Sequence, residues 1–216
     1  NFYIGNNLGA SGTSALIPGD PIQLQAGYEA QIQRAERAEG RPLKLSEVSH
    51  YYTRETWRYV RDYPYQAFRG ILRKLAFFWT RYELPNDQDI YFVTEQYAPI
   101  TRFMPIGFWL IGPLGILGLV LSFARARALF PLWSIVCLYM LVDAAFFVNA
   151  RFRIAAVVLL IVLAGYAAQW LYREWRAKRI KRLGIACLAL LLGGLLVERV
   201  PPGVDRLHVQ MFYNAG

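Results

Sequence analysis

Residues 104–124 read MPIGFWLIGPLGILGLVLSFA, and none of them is charged. Three further apolar runs follow. They are ALFPLWSIVCLYMLVDAAFFV at 128–148, IAAVVLLIVLAGYAAQWLY at 154–172 and LGIACLALLLGGLLV at 183–197. A helix needs about 20 apolar residues to cross a bilayer's hydrocarbon core. The first three runs meet that length. The fourth is shorter, with Glu198 directly after it, and is expected to tilt little or to thin the bilayer locally. None lies at the N-terminus, so none reads as a signal peptide.

Composition supports that reading. The 216 residues are 56% hydrophobic and 18% charged, against about a quarter charged in ordinary soluble domains. No acidic residue lies between Glu95 and Asp143. Residues 1–103 hold 12 Lys/Arg and 11 Asp/Glu, whereas 104–216 hold 12 and 4, so the net charge of +9 belongs to the second part. There it sits in clusters between apolar runs. A plain soluble enzyme, a disordered chain and a disulfide scaffold are excluded, and an integral membrane protein with a polar head is implied. Cys137 and Cys187 lie inside apolar runs and read as small hydrophobes. His50 and His208 have no metal-ligand spacing, and no metal is expected. The basic residues flank hydrophobic spans instead of forming a stripe, so nucleic acid is not an expected partner.

Arg125-Ala126-Arg127 joins the first two runs, and REWRAKRIKR at 173–182 joins the last two. Together they carry eight basic residues on one side of the bilayer. The positive-inside rule puts that side in the cytoplasm. Residues 1–103 and 198–216 are then extracytoplasmic, with a four-span bundle at 104–197. Exporting so long a polar head requires a span upstream. The chain is therefore expected to be the C-terminal piece of a longer multi-pass inner-membrane protein, with the N-terminal half as its partner.

The head reads as helical. Residues 1–5 suggest a short strand, and 5–19 form a Gly/Ser/Asn-rich loop. Asp20 as N-cap and Pro21 as first helical residue open a helix that runs toward Gly40. A second helix starts near Ser46 and stops before Pro64. A third, over 64–82, places Tyr65, Phe68, Leu72, Leu75 and Trp79 at helical spacing, with Arg69 and Arg73 on other faces. It reads either as a basic amphipathic helix lying in the membrane interface or as a core helix of a small subdomain.

Five stretches, in order, carry a resemblance: Phe2-Tyr3-Ile4-Gly5-Asn6-Asn7; KLAFFWTRYELPN from Lys74 to Asn86; PIGFWLIGPLGILG from Pro105 to Gly118; Phe146-Phe147-Val148; and Arg151-Phe152-Arg153. In this order and spacing the chain resembles the C-terminal half of bacterial GT-C glycosyltransferases. The group is the family 39-like proteins, related to protein O-mannosyltransferases and the lipid A aminoarabinose transferase. The resemblance covers roughly residues 1–170. It implies a partial GT-C fold and transfer of a sugar from a polyprenyl-phosphate donor on the extracytoplasmic face, with no cofactor. It also implies inversion at the sugar carbon and an acidic general base that lies outside this chain. The family often reads Arg-Tyr-Arg-Leu-Pro where this sequence has Arg151-Phe152-Arg153-Ile154-Ala155.

On that reading the substrate-binding candidates are Arg151, Arg153, Lys74, Glu83 and Asp143. Two arginines at headgroup level can grip a phosphate with forked donors; the plainer alternative is contact with anionic lipid. Asp143 lies within an apolar run, where an ionisable residue faces a cavity or a partner. Lys74 can reach a phosphate, and Glu83 can position a hydroxyl or pair with Arg81. Asn6 and Asn7 suit holding a loop. Gly112, Gly115 and Gly118, with Pro113, suit close helix packing and a kink. No phosphate-cradling Gly-rich loop, Ser/His/Asp set or Asp-x-Asp is present. The rival reading is a non-catalytic polytopic membrane protein, either part of a transporter or an assembly scaffold.

Overall fold

The computed structural model describes residues 2–13, 17, 19–21, 24–84, 90–98, 107–123 and 127–198. Expectations placed on Asn86, Pro105, Arg125, Ala126, His208 and the tail beyond Glu198 lie outside the described residues. Regular structure among the described residues is all helical: α1 (Leu24–Glu39), α2 (Leu45–Asp62), α3 (Pro64–Phe78), α4 (Ile90–Gln96), α5 (Phe108–Ser122), α6 (Phe130–Ala145), α7 (Ala150–Arg176) and α8 (Ile180–Val197). The chain divides into two compact units. One is Asn1–Lys74 with Val142–Val148, and the other is Leu75–Leu141 with Asn149–Gly216.

In the first unit, the strand expected at the start is a run of turns over residues 2–5. The cause is local. The Asn6 amide donates to the Phe2 carbonyl and the Asn7 amide to the Tyr3 carbonyl, both at 2.8 Å. These bonds curl the backbone away from an extended path. Gly40 takes the left-handed φ of +68° that ends α1. Asp20, read from sequence as a helix cap, is ion-paired to Arg34. The start of α2 is held by Glu47, whose carboxylate accepts from the Lys44 amide at 2.8 Å. The Tyr52 hydroxyl donates to the Gln31 carbonyl at 2.9 Å and ties α2 to α1. Along α3, Tyr65, Phe68 and Leu72 are exposed, whereas Lys74 is buried.

α3 ends at Phe78, four residues short of the sequence expectation. Its last amides tighten to Trp79 N–Ala76 O and Thr80 N–Phe77 O bonds, both 3.2 Å, and the chain then leaves the helix. α6 likewise ends at Ala145, before the apolar run does. Residues 146–148 leave it to make bonds within the first unit, including Val148 N to Gly12 O at 2.9 Å.

In the second unit, α5 packs against both α7 and α8. Phe108, Val136, Leu160, Leu163 and Val197 form one core cluster, and Leu117, Ala167 and Ala186 form another. Leu160 and Leu163 of α7 cluster with Val197 at the end of α8, whereas Ala167, later in α7, clusters with Ala186 earlier in α8, so the two helices run antiparallel. Glycine makes the close approach of α5 possible. A Cβ on Gly118 would sit 2.1 Å from the Leu163 carbonyl oxygen, and one on Gly112 would sit 2.8 Å from a Val197 methyl. Trp133 donates its indole N–H to the Ser122 hydroxyl at 3.0 Å. Between α7 and α8, Lys178 adopts φ +53°, and the buried Glu174 carboxylate accepts from Arg179 and Arg182 at 3.3 and 3.4 Å.

Among the described residues two helices, α7 with 27 residues and α8 with 18, are long and apolar enough to cross a membrane. α5 and α6 have 15 and 16 residues. At 1.5 Å per residue they reach about 22–24 Å, less than a ~30 Å hydrocarbon core. Most of α8 is not covered by protein: Leu188, Leu191, Leu192 and Leu195 are each 60–63% exposed.

Candidate functional site

Among the described residues, each unit carries one buried cation, and both were singled out from the sequence. In the first unit, Lys74 is 1% exposed. Its ammonium donates to the Gly5 carbonyl at 3.2 Å, the Asn6 side-chain oxygen at 2.8 Å and the Phe146 carbonyl at 3.1 Å. An ammonium has three donors, and these neutral acceptors take all of them. Lys74 therefore closes a loop within the first unit. Asn6 reinforces the join by donating to the Ala145 carbonyl at 2.7 Å. Arg73, the next residue, donates to the Ala10 carbonyl at 2.6 Å. Asp143 is also buried in this unit.

Burial, with Arg73 adding repulsion, brings the Lys74 pKa down from 10.5 to about 8. The folded chain then releases this proton near pH 8, while the unfolded chain keeps it until about 10.5. The unfolded state binds more protons across that window, so stability rises with pH there. The melting temperature of the wild type should climb relative to that of Lys74→Met between pH 8 and 10. A difference that stays flat across those pH values would refute the assignment.

In the second unit, Arg153 is 2% exposed. One guanidinium nitrogen donates to the carbonyls of Phe78, at 3.0 Å, and Thr80. Another meets the Glu83 carboxylate at 3.2 Å. The guanidinium also stands over the Phe108 ring, 4.2 Å from its centre. It thereby caps the carbonyls at the end of α3 and holds the turn that follows. Glu83 is placed by the Tyr91 hydroxyl, which accepts from the Glu83 amide at 3.1 Å. Glu83 pairs with Arg153 and not with Arg81, which pairs with Glu198 at 2.9 Å.

Arg151 and Arg153 do not form a pincer. Both lie in the first turn of α7, which Asn149 caps by accepting from the Phe152 amide at 3.0 Å. Two residues along a helix turn about 200°. Arg153 points inward and Arg151 is exposed. Of the five sequence candidates, Arg151 keeps its charge outward at the mouth of a span-length helix. Among the described residues, no group of three or more His, Cys, Asp or Glu side chains could hold a metal ion.

Sequence reading missed a cleft of about 550 Å³ in the first unit, lined by Tyr3, Arg34, Glu55, Arg58, Tyr59 and Tyr63 among others. A signal was present: Glu55, Arg58, Tyr59 and Asp62 recur at i, i+3, i+4 and i+7 along α2 and so share one face. No protein-family model matches the chain, and neither does any curated protein or solved structure.

Proposed function

We propose that the chain is the C-terminal part of an integral membrane glycosyltransferase of the GT-C class. It moves a sugar from a polyprenyl-phosphate donor to an acceptor on the extracytoplasmic face of the inner membrane. In this reading the four apolar helices are spans, residues 1–103 lie outside, and the general base belongs to the preceding part of the protein. The outward leucines of α8 support a lipid surround, because a soluble protein rarely leaves so large an apolar surface bare.

One observation carries the assignment. The stretches behind the family resemblance, distant in sequence, meet at the two buried cations. Lys74 joins the Phe2–Asn7 stretch to Phe146. Arg153 joins its own motif to Phe78, Thr80, Glu83 and Phe108. Such residues build a frame within each unit, and Arg151 is left to meet the donor phosphate. In the full-length protein in its native membrane, Arg151→Ala should lower transfer from polyprenyl-phosphate sugars about tenfold or more, at an unchanged amount of folded protein. Arg151→Lys should keep part of the activity, as a point charge without the fork. Unchanged turnover in Arg151→Ala would remove the donor role. Absence of transfer by the wild type would leave the non-catalytic scaffold. That rival draws its own support from the saturation of Lys74 by neutral acceptors within the frame.

A further inference from the structure

We propose that the cleft of the first unit binds an uncharged carbohydrate chain. Its size falls within the ~300–1,000 Å³ typical of ligand sites. Three elements build it: the N-terminal turns supply Tyr3, α1 supplies Arg34, and one face of α2 with the residue after it supplies Glu55, Arg58, Tyr59 and Tyr63.

The charges in the cleft are matched internally. Arg34 is paired with Asp20, and Arg58 with Glu55 at 2.7 Å. Asp62, also in the lining, is paired with Arg61 at 2.9 Å. A phosphate or sulfate entering here would find each cation's charge already countered by a carboxylate. A ligand rich in hydroxyls needs no free charge, because each paired guanidinium keeps further N–H donors and each carboxylate further lone pairs. The rings supply the other half of the recognition. Tyr59 and Tyr63 form an aromatic pair in the lining, 6.1 Å apart with planes inclined by 31°. Tyr63 is 40% exposed, so the pair is accessible to a ligand. Burial holds the Tyr3 and Tyr59 phenols above their usual pKa of 10.0, and they remain neutral hydroxyl donors at physiological pH. A sugar ring has an apolar C–H face and a polar rim, which is the pattern that a tyrosine pair bordered by paired charges complements.

The inference is independent of the transferase reading, since a scaffold can hold a glycan as well as an enzyme can. The test is therefore binding alone. Chitotriose, maltotriose and mannotriose, and a sulfated maltotriose, would be titrated against the full-length protein in nanodiscs, with saturation-transfer NMR as the readout. At least one neutral trisaccharide should bind saturably. Tyr59→Ala should weaken that binding about tenfold, and Tyr63→Ala, at a more exposed position, should weaken it should Tyr59→Ala fail to fold. Tyr65→Ala, on α3 outside the lining, should leave it unchanged. The proposal is overturned if none of the neutral sugars binds, if the sulfated sugar binds more tightly, or if the folded cleft variants bind like wild type.

Discussion

Replacing Arg153 with methionine should cost about 2–4 kcal/mol of folding stability, mostly from the two carbonyls left without donors at about 1–3 kcal/mol each, since Glu83 is 40% exposed and can turn to water. Methionine matches the length of the stem and offers no donor. The carbonyls of Phe78 and Thr80 lose their guanidinium N–H groups, and Glu83 loses its cation. Against a typical total of about 5–15 kcal/mol, that is a large share. Arg153→Lys should recover less than half of the loss. A single ammonium cannot present a planar fork to two carbonyls and a carboxylate while stacking on Phe108. Thermal melts and folded yield in detergent measure both variants. A methionine variant within about 1 kcal/mol of wild type, below the cost of two orphaned carbonyls, would show that the guanidinium is not the fastener described above.

Gly5→Ala should be as damaging, at about 3 kcal/mol, the upper range for forcing extra atoms into packed structure. The added Cβ would lie 1.6 Å from the Phe146 carbonyl oxygen. That oxygen also accepts from Lys74 at 3.1 Å, and the Gly5 carbonyl accepts from the same ammonium. Moving either strand of the contact to relieve the clash therefore loosens the Lys74 bonds. Gly19→Ala is the contrast in available space, since no atom lies within 4 Å of a Cβ there, although its φ of +89° carries a backbone strain. Wild-type melting behaviour in Gly5→Ala would mean that this approach is not made.

These residues show what the sequence can and cannot reveal. Helices α5 to α8 were readable because a lone apolar run has few alternatives to a helix, and Gly112, Gly115 and Gly118 were readable as allowing close packing, whereas α4 was not foreseen. Arg153 was read as a ligand-gripping residue because its partners are main-chain carbonyls more than seventy positions away. A carbonyl has no sequence signature. The same blindness applies to Lys74, whose acceptors are two carbonyls and one amide oxygen. Helix ends failed for a related reason. α3 and α6 stop where tertiary bonds recruit the backbone, and no Pro or Gly marks either point. The cleft combines side chains from α1, α2 and the N-terminal turns, and only its α2 face is periodic.

The seating of α5 between α7 and α8 also sets an order of events during synthesis. Gly112 meets Val197, and Gly193 meets the Pro113 ring. The earliest of these three helices to leave the ribosome thus needs the latest one to complete its slot. Translation at about 5–20 residues per second leaves an interval of roughly 4–16 s between them. Throughout that time the Gly112–Pro113 part of α5 stands bare, and any chaperone or insertion partner that guards the nascent chain has this surface to cover.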